Sequence, residues 1–545
     1  MWVWQQCGGV AVLAAGALGL ASTGYGQTAA PPAPRPEQAP VPTYHVSSKL
    51  VYLDVTVLDK KNHPVVSGLT KDDFSITEDK RPQTIFSFEP PSAHALGASG
   101  DNPEGKAPVT IMVLDQLNSR FQDFAYIRWE ANRFLQSQPK ELPSAAELMI
   151  VGQNSLDLVQ SFTRDRSELE DALQHIPAAL PYKQMSASFA YERIQQSFDA
   201  LEQIALECQG IPGRKNVLWL GMGGPGVNTL FLPQGISEPL LQYAHSVTNL
   251  MVDARMTLFV LYPGLSVHDP RNTIASMDST IDLGDNDPFG PQGDINFGVF
   301  SNETGGKLFF NRNDIDGEMK EAEMLGSEYY TLTYQPQGGE DNGRFRRIRV
   351  TMRDPNLHVV AKAGYFAPDE NAPADPMERR MQSMAEAVQA TVPYTNLKLH
   401  VSDVLRHPDS TSVEVILQVF PGDLNWTPSD DGTSSAGLLV ASAALNRYRD
   451  IVRGRMRTLN FTAHTQNKKV IAQQLPLIVD VTIPTPLKKT QFVRVAVETE
   501  HGGRLGTAEF DRAMLDKAPA TPTPQPHLAG PRAVVRQTPA APTPQ

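Results

Sequence analysis

Cysteine is scarce in this sequence, which limits how the folded chain can be held together. Only Cys7 and Cys208 occur among the 545 residues. Cys7 precedes an apolar stretch near the amino terminus, and we expect it to be removed with that segment, so the mature chain cannot form an internal disulfide. Cys208 continues an apolar helical series that starts at Ile194, which predicts a buried and unreactive thiol. Stability must therefore come from packed cores.

Basic residues do not outnumber acidic ones in this sequence. The chain carries 48 Lys and Arg against 60 Asp and Glu, a formal net charge of -12. Binding to a phosphate backbone depends on clustered Lys and Arg that displace counterions, so this balance argues against nucleic acid as a partner. The hydrophobic content of 41% is ample for two to four ordinary packed domains.

The amino-terminal apolar stretch falls short of a membrane span. Gly8 to Ala21 gives about 14 residues, whereas a spanning helix needs about 20. Gly24 and Gly26 fit the small-residue positions of a signal-peptidase cut before Gln27, although no Lys or Arg precedes the stretch. We therefore predict a signal peptide over residues 1–26 and an exported protein, periplasmic or secreted. Contact with a membrane is expected only if the segment stays uncleaved.

Motifs of the common catalytic classes are missing as well. The sequence has no His-Glu-x-x-His, no Gly-x-Ser-x-Gly and no cysteine pair for redox or zinc chemistry. The 12 histidines are scattered, and His268 beside Asp269 is typical of a surface pair. We predict that the protein is not an enzyme.

What the sequence does contain is an apolar run that ends in a carboxylate. Pro108 to Asp115 is apolar without alternation, which suits a strand covered on both faces, and an amphipathic helix pattern follows it. Further strand and helix patterns alternate as far as residue 326. This order predicts an α/β doubly wound domain over 107–326, in which function gathers at the carboxyl ends of the strands.

Strand patterns flank this α/β block on both sides. Residues 46–90 form an amino-terminal β unit, and 327–367 hold strands that we expect to complete it, because each half alone gives only a thin core. The α/β domain is then an insertion in a β domain. The fold class is thus an α/β doubly wound domain flanked by β-rich domains, a multidomain α+β chain overall.

The remaining segments are divided by composition. Residues 27–45 are a Pro/Ala-rich tether, and 368–392 are a connector that is helical from Met377 to Ala390. Residues 393–516 are predicted to form a β-sandwich-like domain, with strand candidates at 413–419, 438–445, 470–479 and 492–498. Residues 517–545 are predicted to be a disordered Pro/Ala-rich tail.

Short motifs follow one another in a specific order and spacing over residues 46–367. They are Val57-Leu-Asp-Lys-Lys-Asn-His-Pro-Val65, Leu69-Thr-Lys-Asp-Asp-Phe74 with Glu78-Asp79, Leu114-Asp-Gln-Leu-Asn-Ser119, Ser161-Phe-Thr-Arg-Asp165, Thr304-Gly-Gly306, Tyr329-Tyr330 with Tyr334-Gln-Pro336, and Ala363-Gly-Tyr-Phe366. In these motifs the chain resembles the von Willebrand factor A-related domain family described in Acidobacteria. The family implies an exported protein with an A-type domain flanked by β structure, and it implies little about biochemical role.

The resemblance implies a candidate metal site at Asp115, Asn118 and Ser119. A-type domains can carry a metal-ion-dependent adhesion site, in which Asp-x-Ser-x-Ser supplies oxygen ligands that suit Mg²⁺. Here Leu117 replaces the first Ser, and the second acidic position becomes Met222. The loop at 183–188 offers serines where the family has Thr. The site is therefore degenerate, with no confident cofactor and at most weak binding of Mg²⁺ or Ca²⁺. The alternative is that Asp115 and Asn118 bind backbone amides at the turn.

Two loops partly match the patterns of other ligand sites, one for a dinucleotide and one for calcium. Gly221-Met-Gly223-Gly-Pro-Gly226 matches a dinucleotide fingerprint, but Pro225 and the non-helical run expected over 227–235 deny it the helix that the motif requires. Asp282, Asp285 and Asp287 give part of a calcium-loop pattern that lacks its closing Glu. We interpret the first as a permissive loop and the second as an acidic surface loop.

Together these patterns predict a non-catalytic binding or adhesion-type scaffold whose partner is a protein or a cell-surface ligand. Two alternatives remain open at this point. One is a metal-dependent hydrolase or another unrecognised envelope enzyme that uses the acidic loop or Asp115, and the other is a structural component of the cell envelope.

Overall fold

The structure is a computed structural model. It describes residues 50–96, 106–152, 156–176, 190–224, 226–228, 232–263, 288–289, 294–312, 314–337, 342–368, 377–407, 411–485, 489–500 and 503–520. All of these belong to one compact unit, Leu50–Gln545. The signal peptide predicted over 1–26 and the tether predicted over 27–45 lie outside the described residues, as does the tail beyond 520.

The described chain contains strands of 2 to 13 residues. They are β1 Val51–Leu58, β2 Phe74–Glu78, β3 Arg81–Gln83, β4 Ile85–Glu89, β5 Val109–Asp115, β6 Glu141–Val151, β7 Leu156–Asp165, β8 Lys215–Leu220, β9 Val227–Asn228, β10 Met256–Pro263, β11 Asp294–Ile295, β12 Lys307–Arg312, β13 Tyr330–Tyr334, β14 Phe345–Met352, β15 His358–Val360, β16 Gly364–Phe366, β17 His400–Arg406, β18 Ser412–Val419, β19 Thr427–Pro428, β20 Ser434–Leu445, β21 Ile451–Ala463, β22 Leu477–Pro484, β23 Phe492–Thr499 and β24 Leu505–Asp511.

Helices separate many of these strands. They are α1 Phe121–Ser137, α2 Arg166–Gln174, α3 Ala190–Cys208, α4 Gln234–Asp253, α5 Phe297–Glu303, α6 Ile315–Ser327, α7 Met377–Gln389, α8 Lys468–Ala472 and α9 Arg512–Lys517. None of the helices in the described part of the chain has the length and apolar character of a membrane span.

A six-stranded sheet lies at the centre of the α/β part, in the order β12-β10-β8-β5-β6-β7. The first five strands are parallel, and β7 runs antiparallel to β6 at the edge. Leu114 near the end of β5 lies opposite Leu220 of β8 and Ile150 of β6. The carboxyl ends of these three strands therefore meet at one edge of the sheet.

Helices cover both faces of this sheet. Ile111 and Val113 of β5 belong to an apolar cluster with α3, α4 and α5, whereas Met112 and Leu114 belong to a second cluster with α1, α2 and α6. Successive residues of a strand point to opposite faces, so an unbroken apolar run is what a sheet covered on both sides requires. The run ending in Asp115 meets that requirement.

Residues before and after the α/β part share two sheets. In the first, β1 pairs with β13 and β15, and β13 pairs with β4. In the second, β14 pairs with β2 and β16. The inward side chains of both sheets form one apolar cluster. Strands up to residue 89 and strands from residue 330 onward thus supply the core that neither half holds alone.

The carboxyl-terminal part contains two sheets packed on one core. One has the order β17-β18-β22, and the other joins β19, β20, β23 and β24, with β21 also paired to β20. Alternate residues of β18 and β22 face β20 and β23 across an apolar cluster. The strand expected over 470–479 is wrong in its first half, because Asn467 caps the short helix α8 and the strand starts only at Leu477. The long strand β21 was not anticipated.

Helix α7 is more than a link between domains. Its Met384, Ala387 and Val388 are buried in the same apolar cluster as α3 of the α/β part and β20 of the carboxyl-terminal part. Polar contacts continue this junction, since the Thr391 hydroxyl donates to the Leu156 carbonyl at 2.8 Å. The segment predicted as a connector therefore lies inside a packed interface.

Candidate functional site

The three residues of the candidate metal site lie together at the carboxyl end of β5. Asp115 is the last residue of that strand and is fully buried, while Asn118 and Ser119, in the turn before α1, are nearly so. Their proximity follows from the chain, because Asn118 and Ser119 lie within the five residues, 116–120, that separate the strand from the helix.

The Asp115 carboxylate is surrounded by N–H donors from three segments. Its Oδ1 accepts from the backbone N–H of Asn118 at 2.9 Å, and its Oδ2 accepts from Trp219 Nε1 at 3.1 Å and from the backbone N–H of Gly223 at 2.8 Å. The Asn118 side-chain amide lies 3.1 Å from both oxygens. The carboxylate thus ties the β5 turn to β8 and to the glycine loop that follows it.

Glycine is required where this loop passes the carboxylate. A Cβ on Gly221 would lie 2.5 Å from the Asp115 Cβ, and the residue has φ +144°, which other residues rarely adopt. A Cβ on Gly223 would lie 2.2 Å from the Phe297 ring, which itself packs 4.8 Å from the Trp219 ring. The loop predicted to be permissive at 221–226 therefore passes close to Asp115 and donates a hydrogen bond to it.

The loop does not open a helix, as a dinucleotide site would need. The next helix, α4, begins at Gln234 after Pro233. It begins two residues earlier than the non-helical run expected over 227–235 allows, and it still lies well beyond Gly226. No helix N-terminus faces the glycines from their own segment.

Burial and hydrogen bonds act in opposite directions on the Asp115 pKa. Burial is the larger effect and leaves the pKa of this carboxyl raised, although hydrogen bonds from the Asn118 and Gly223 amides, the Trp219 indole and the Asn118 side chain lower it. A buried carboxylate satisfied by donors is a stable structural element. The same donors present hydrogen atoms, where a Mg²⁺ site would need oxygen lone pairs directed at the ion.

Asn118 extends the network to α3. Its side-chain amide lies 3.0 Å from Ser197 Oγ, which donates to the Arg193 carbonyl at 2.8 Å. The Asn118 Oδ1 atom is buried and has no hydrogen-bond partner among the described residues. One free amide oxygen and one donor-filled carboxylate do not make an octahedral oxygen shell, so the donor set does not fit Mg²⁺. The alternative interpretation, in which Asp115 binds amides at the turn, matches these contacts.

Sequence reasoning missed Trp219, Gly223 and Ser197 as members of this site. The sequence places the glycine loop in the comparison with a metal site and with a nucleotide site, but not as a donor to Asp115, and it places Trp219 only in a strand. The adjacency of β8 and β5 could have linked them, since residues just after β8 must lie beside Asp115 once these strands are neighbours. No local sequence pattern predicts that Ser197 contacts Asn118.

Other predicted features lie outside the described residues. They are Asp282, Asp285 and Asp287 of the acidic loop, the pair His268 and Asp269, and the serine loop at 183–188. Within the described ranges, no group of three or more His, Cys, Asp or Glu side chains is placed to hold a metal ion. Cys208 is buried, as its helical position predicts, and burial raises the pKa of its thiol well above the ordinary value.

A second set of buried acids lies at the junction with the carboxyl-terminal part. Glu147 of β6 and Glu207 of α3 are both buried, and neither Glu147 oxygen has a hydrogen-bond partner in the described chain. Burial raises the pKa of Glu147 well above its usual range, and the neighbouring Glu207 raises it further. Burial also raises the pKa of Glu207 to about 8, although the Arg494 guanidinium opposes that change.

Tyr243 of α4 contacts two further acids, Asp199 and Glu202, on α3. Its hydroxyl lies 2.6 Å from both Asp199 Oδ1 and Glu202 Oε2. Because one hydroxyl has one proton, the second of these short contacts needs a proton on a carboxyl group. Burial raises the pKa of Glu202 to about 7, and the charges of Asp199 and of Glu386 on α7 act in the same direction.

Comparisons with known proteins give weak likenesses. No family model and no curated protein sequence matches the chain. Among solved structures, the chain is similar to an aerotolerance-related membrane protein from Bacteroides fragilis NCTC 9343 carrying multiple mutations to serine, with 15% identity, a TM-score of 0.24, and coverage of 40% of this chain and 98% of that one. It is also similar to the SpRpn10 VWA domain, with 16% identity, a TM-score of 0.18, and coverage of 29% and 75% respectively.

Proposed function

We propose that the chain is an exported, non-catalytic scaffold that binds a protein partner through a von Willebrand factor A-like domain whose adhesion site is degenerate. In this proposal the six-stranded sheet is doubly wound in the A-type manner. Asp115 fastens the loops at the carboxyl edge instead of holding a metal ion. Binding then depends on side chains exposed beside that edge.

The observation that carries the proposal is an exposed aromatic ridge on α1, formed by Phe121, Trp129 and Arg133. Phe121 begins α1 directly after the Asp115 turn and is 55% exposed, and Trp129, two turns further on, is 54% exposed. The Arg133 guanidinium lies 5.1 Å from the Trp129 ring centre. Residues at these spacings lie along one side of a helix.

The ridge is not needed to hold α1 in place. The opposite side of the helix is buried in the core through Phe124, Ile127 and Phe134. Arg133 is fixed by ion pairs with Glu130 at 3.1 Å and Asp316 at 2.7 Å. Exposed Trp and Arg side chains held in one conformation are the residues that most often dominate binding energy at protein interfaces.

The test compares partner retention by matched surface variants. The purified chain is immobilised and incubated with the soluble envelope fraction of the cells that make it, beside the double variant Phe121→Ser with Trp129→Ser. The control is Phe86→Ser, because Phe86 is 74% exposed on β4, in a different sheet. We expect the wild type and the control to retain the same proteins and the ridge variant to lose them, with unchanged thermal unfolding in all three. Equal retention by all three chains would contradict the proposal.

A further inference from the structure

A cavity with a basic lining opens at one end of the carboxyl-terminal sheet. Its volume is about 500 Å³, within the range of small-ligand sites. The loop between β20 and β21 and the residues leading into β23 form most of its wall. The described lining residues are Asn446, Arg447, Tyr448, Val452, Lys489, Thr490, Gln491 and Arg512.

The loop that carries Arg447 and Tyr448 is held by its own side chains. Asn446 Oδ1 accepts from the backbone N–H groups of Tyr448 at 2.8 Å and Asp450 at 3.0 Å. Arg449 adopts φ +65° and directs its guanidinium away from the cavity, to Glu509 at 2.5 Å and the Ala390 carbonyl at 2.6 Å. A loop fixed in this way holds the backbone of Arg447 and Tyr448 in place before a ligand binds, which lowers the ordering cost of binding.

Positive charge in this cavity is largely unbalanced. Arg447, Lys489 and Arg512 contribute three cations, and none of the described lining residues is acidic. Arg512 pairs with Asp516 at 3.0 Å, whereas Arg447 and Lys489 form no ion pair with any described residue. The chain as a whole has a net charge of -12, so a positively charged concave surface stands out from the rest of the protein and favours an anionic ligand.

Tyr448 adds a flat apolar surface to these charges. The residue is 69% exposed, and the Arg447 guanidinium lies 4.5 Å from its ring centre, covering one face. The remaining face suits the C–H side of a sugar ring, and the Gln491 amide can both donate to and accept from hydroxyl groups. Cations, an aromatic face and an amide together match a ring that carries hydroxyls and a negative charge.

We propose that this cavity binds an acidic saccharide, with Arg447 and Lys489 contacting its anionic groups and Tyr448 packing against its ring. The site is separate from the α1 ridge and does not depend on it. It would give the carboxyl-terminal domain a carbohydrate-binding role of its own.

Calorimetric titration of the full chain with trigalacturonate at physiological salt tests the proposal. Maltotriose is the uncharged probe, and inorganic phosphate is the probe without a ring. We expect trigalacturonate to bind and maltotriose not to. Arg447→Ala and Lys489→Ala should each raise the dissociation constant about tenfold, since hydrogen bonds to charged groups are worth that much. Tyr448→Ala should weaken binding as well.

The matched control is Arg453→Ala, an exposed arginine on β21 that does not line the cavity. It should leave the affinity unchanged while all variants keep the wild-type melting temperature. Failure of trigalacturonate to bind, or equal binding of maltotriose, would overturn the proposal. So would competition by phosphate at equal concentration combined with no effect of Tyr448→Ala, because recognition would then involve charge alone.

Discussion

Two regions of this protein bury carboxyl groups in opposite ways. Asp115 is buried among donors from Asn118, Trp219 and Gly223, and hydrogen bonds counteract the effect of burial on its pKa. Glu147 and Glu207 are buried beside one another, and Glu147 has no hydrogen bond to any described residue. Burial is the larger effect at both sites and raises both pKa values, but hydrogen bonds lower the pKa of Asp115, whereas the neighbouring Glu207 raises that of Glu147 further.

The difference teaches that burial alone does not decide what a buried acid does. With donors, an acid connects neighbouring loops through its hydrogen bonds, as Asp115 does for the β5 turn and the loop after β8. Without donors and beside a like charge, it makes folding depend on proton uptake. Glu207 and Glu202 both lie on α3, which packs against α7 and the carboxyl-terminal part, so this dependence belongs to the junction.

The largest expected effect comes from neutral replacements at the two kinds of site. Asp115→Asn puts an amide group where donors point, leaving buried N–H groups unpaired, and should lower the free energy of unfolding by about 3 kcal/mol. Glu147→Gln removes the need for proton uptake and should raise it by about 1 kcal/mol near pH 8. Urea unfolding of both variants measures these changes. A change of the same sign in both would break the comparison.

The structure shows how far sequence reasoning reaches at these two sites. The end of β5 could be predicted because an unbroken apolar run and the carboxylate after it are local features. The contacts of Trp219 and Gly223 with Asp115 could not be predicted, because they depend on β8 lying beside β5. The order of strands in a sheet cannot be predicted from the local hydrophobic pattern.

The junction was harder still to predict. Helix α7 was expected from its pattern, but its burial depends on apolar surface that other segments supply. Glu147 stands in a strand whose following residues are all buried, which is a local sign of an unusual acid. Its neighbour Glu207 is far away in sequence, so the pair became visible only in the folded chain. Residues 51–89 and 330–366, in contrast, share two sheets whose side chains fill one apolar cluster.

A smaller effect is expected from pH. The pKa of Glu207 is about 8 in the folded chain against 4.5 as its ordinary value, and that of Glu202 is about 7. A raised carboxyl pKa gives stability that is fully present below the ordinary pKa and is lost as the pH rises through the folded one. The melting temperature should therefore fall by several degrees between about pH 5.5 and about pH 8.5.

Variants on α3 identify the groups responsible for that slope. Glu207→Gln and Glu202→Gln should each flatten the dependence of the melting temperature on pH, because one proton uptake is removed. Glu192→Gln is the matched control, since Glu192 lies on the same helix but is exposed. A slope that is unchanged in all three variants would assign the pH dependence to other groups.

The smallest expected effect, none at all, concerns metal ions at Asp115. A ligand that binds only the folded chain at a hundredfold excess over its dissociation constant adds about 2.7 kcal/mol to stability. Because N–H donors already occupy both Asp115 oxygens, melting temperatures measured in EDTA and in millimolar Mg²⁺, Mn²⁺ or Ca²⁺ should coincide. An upshift that Asp115→Asn abolishes would mean that the ion displaces these donors. The hydrogen bonds to Asp115 would then form only in the metal-free protein. The difference between Asp115 and Glu147 would in that case depend on whether a metal ion is bound.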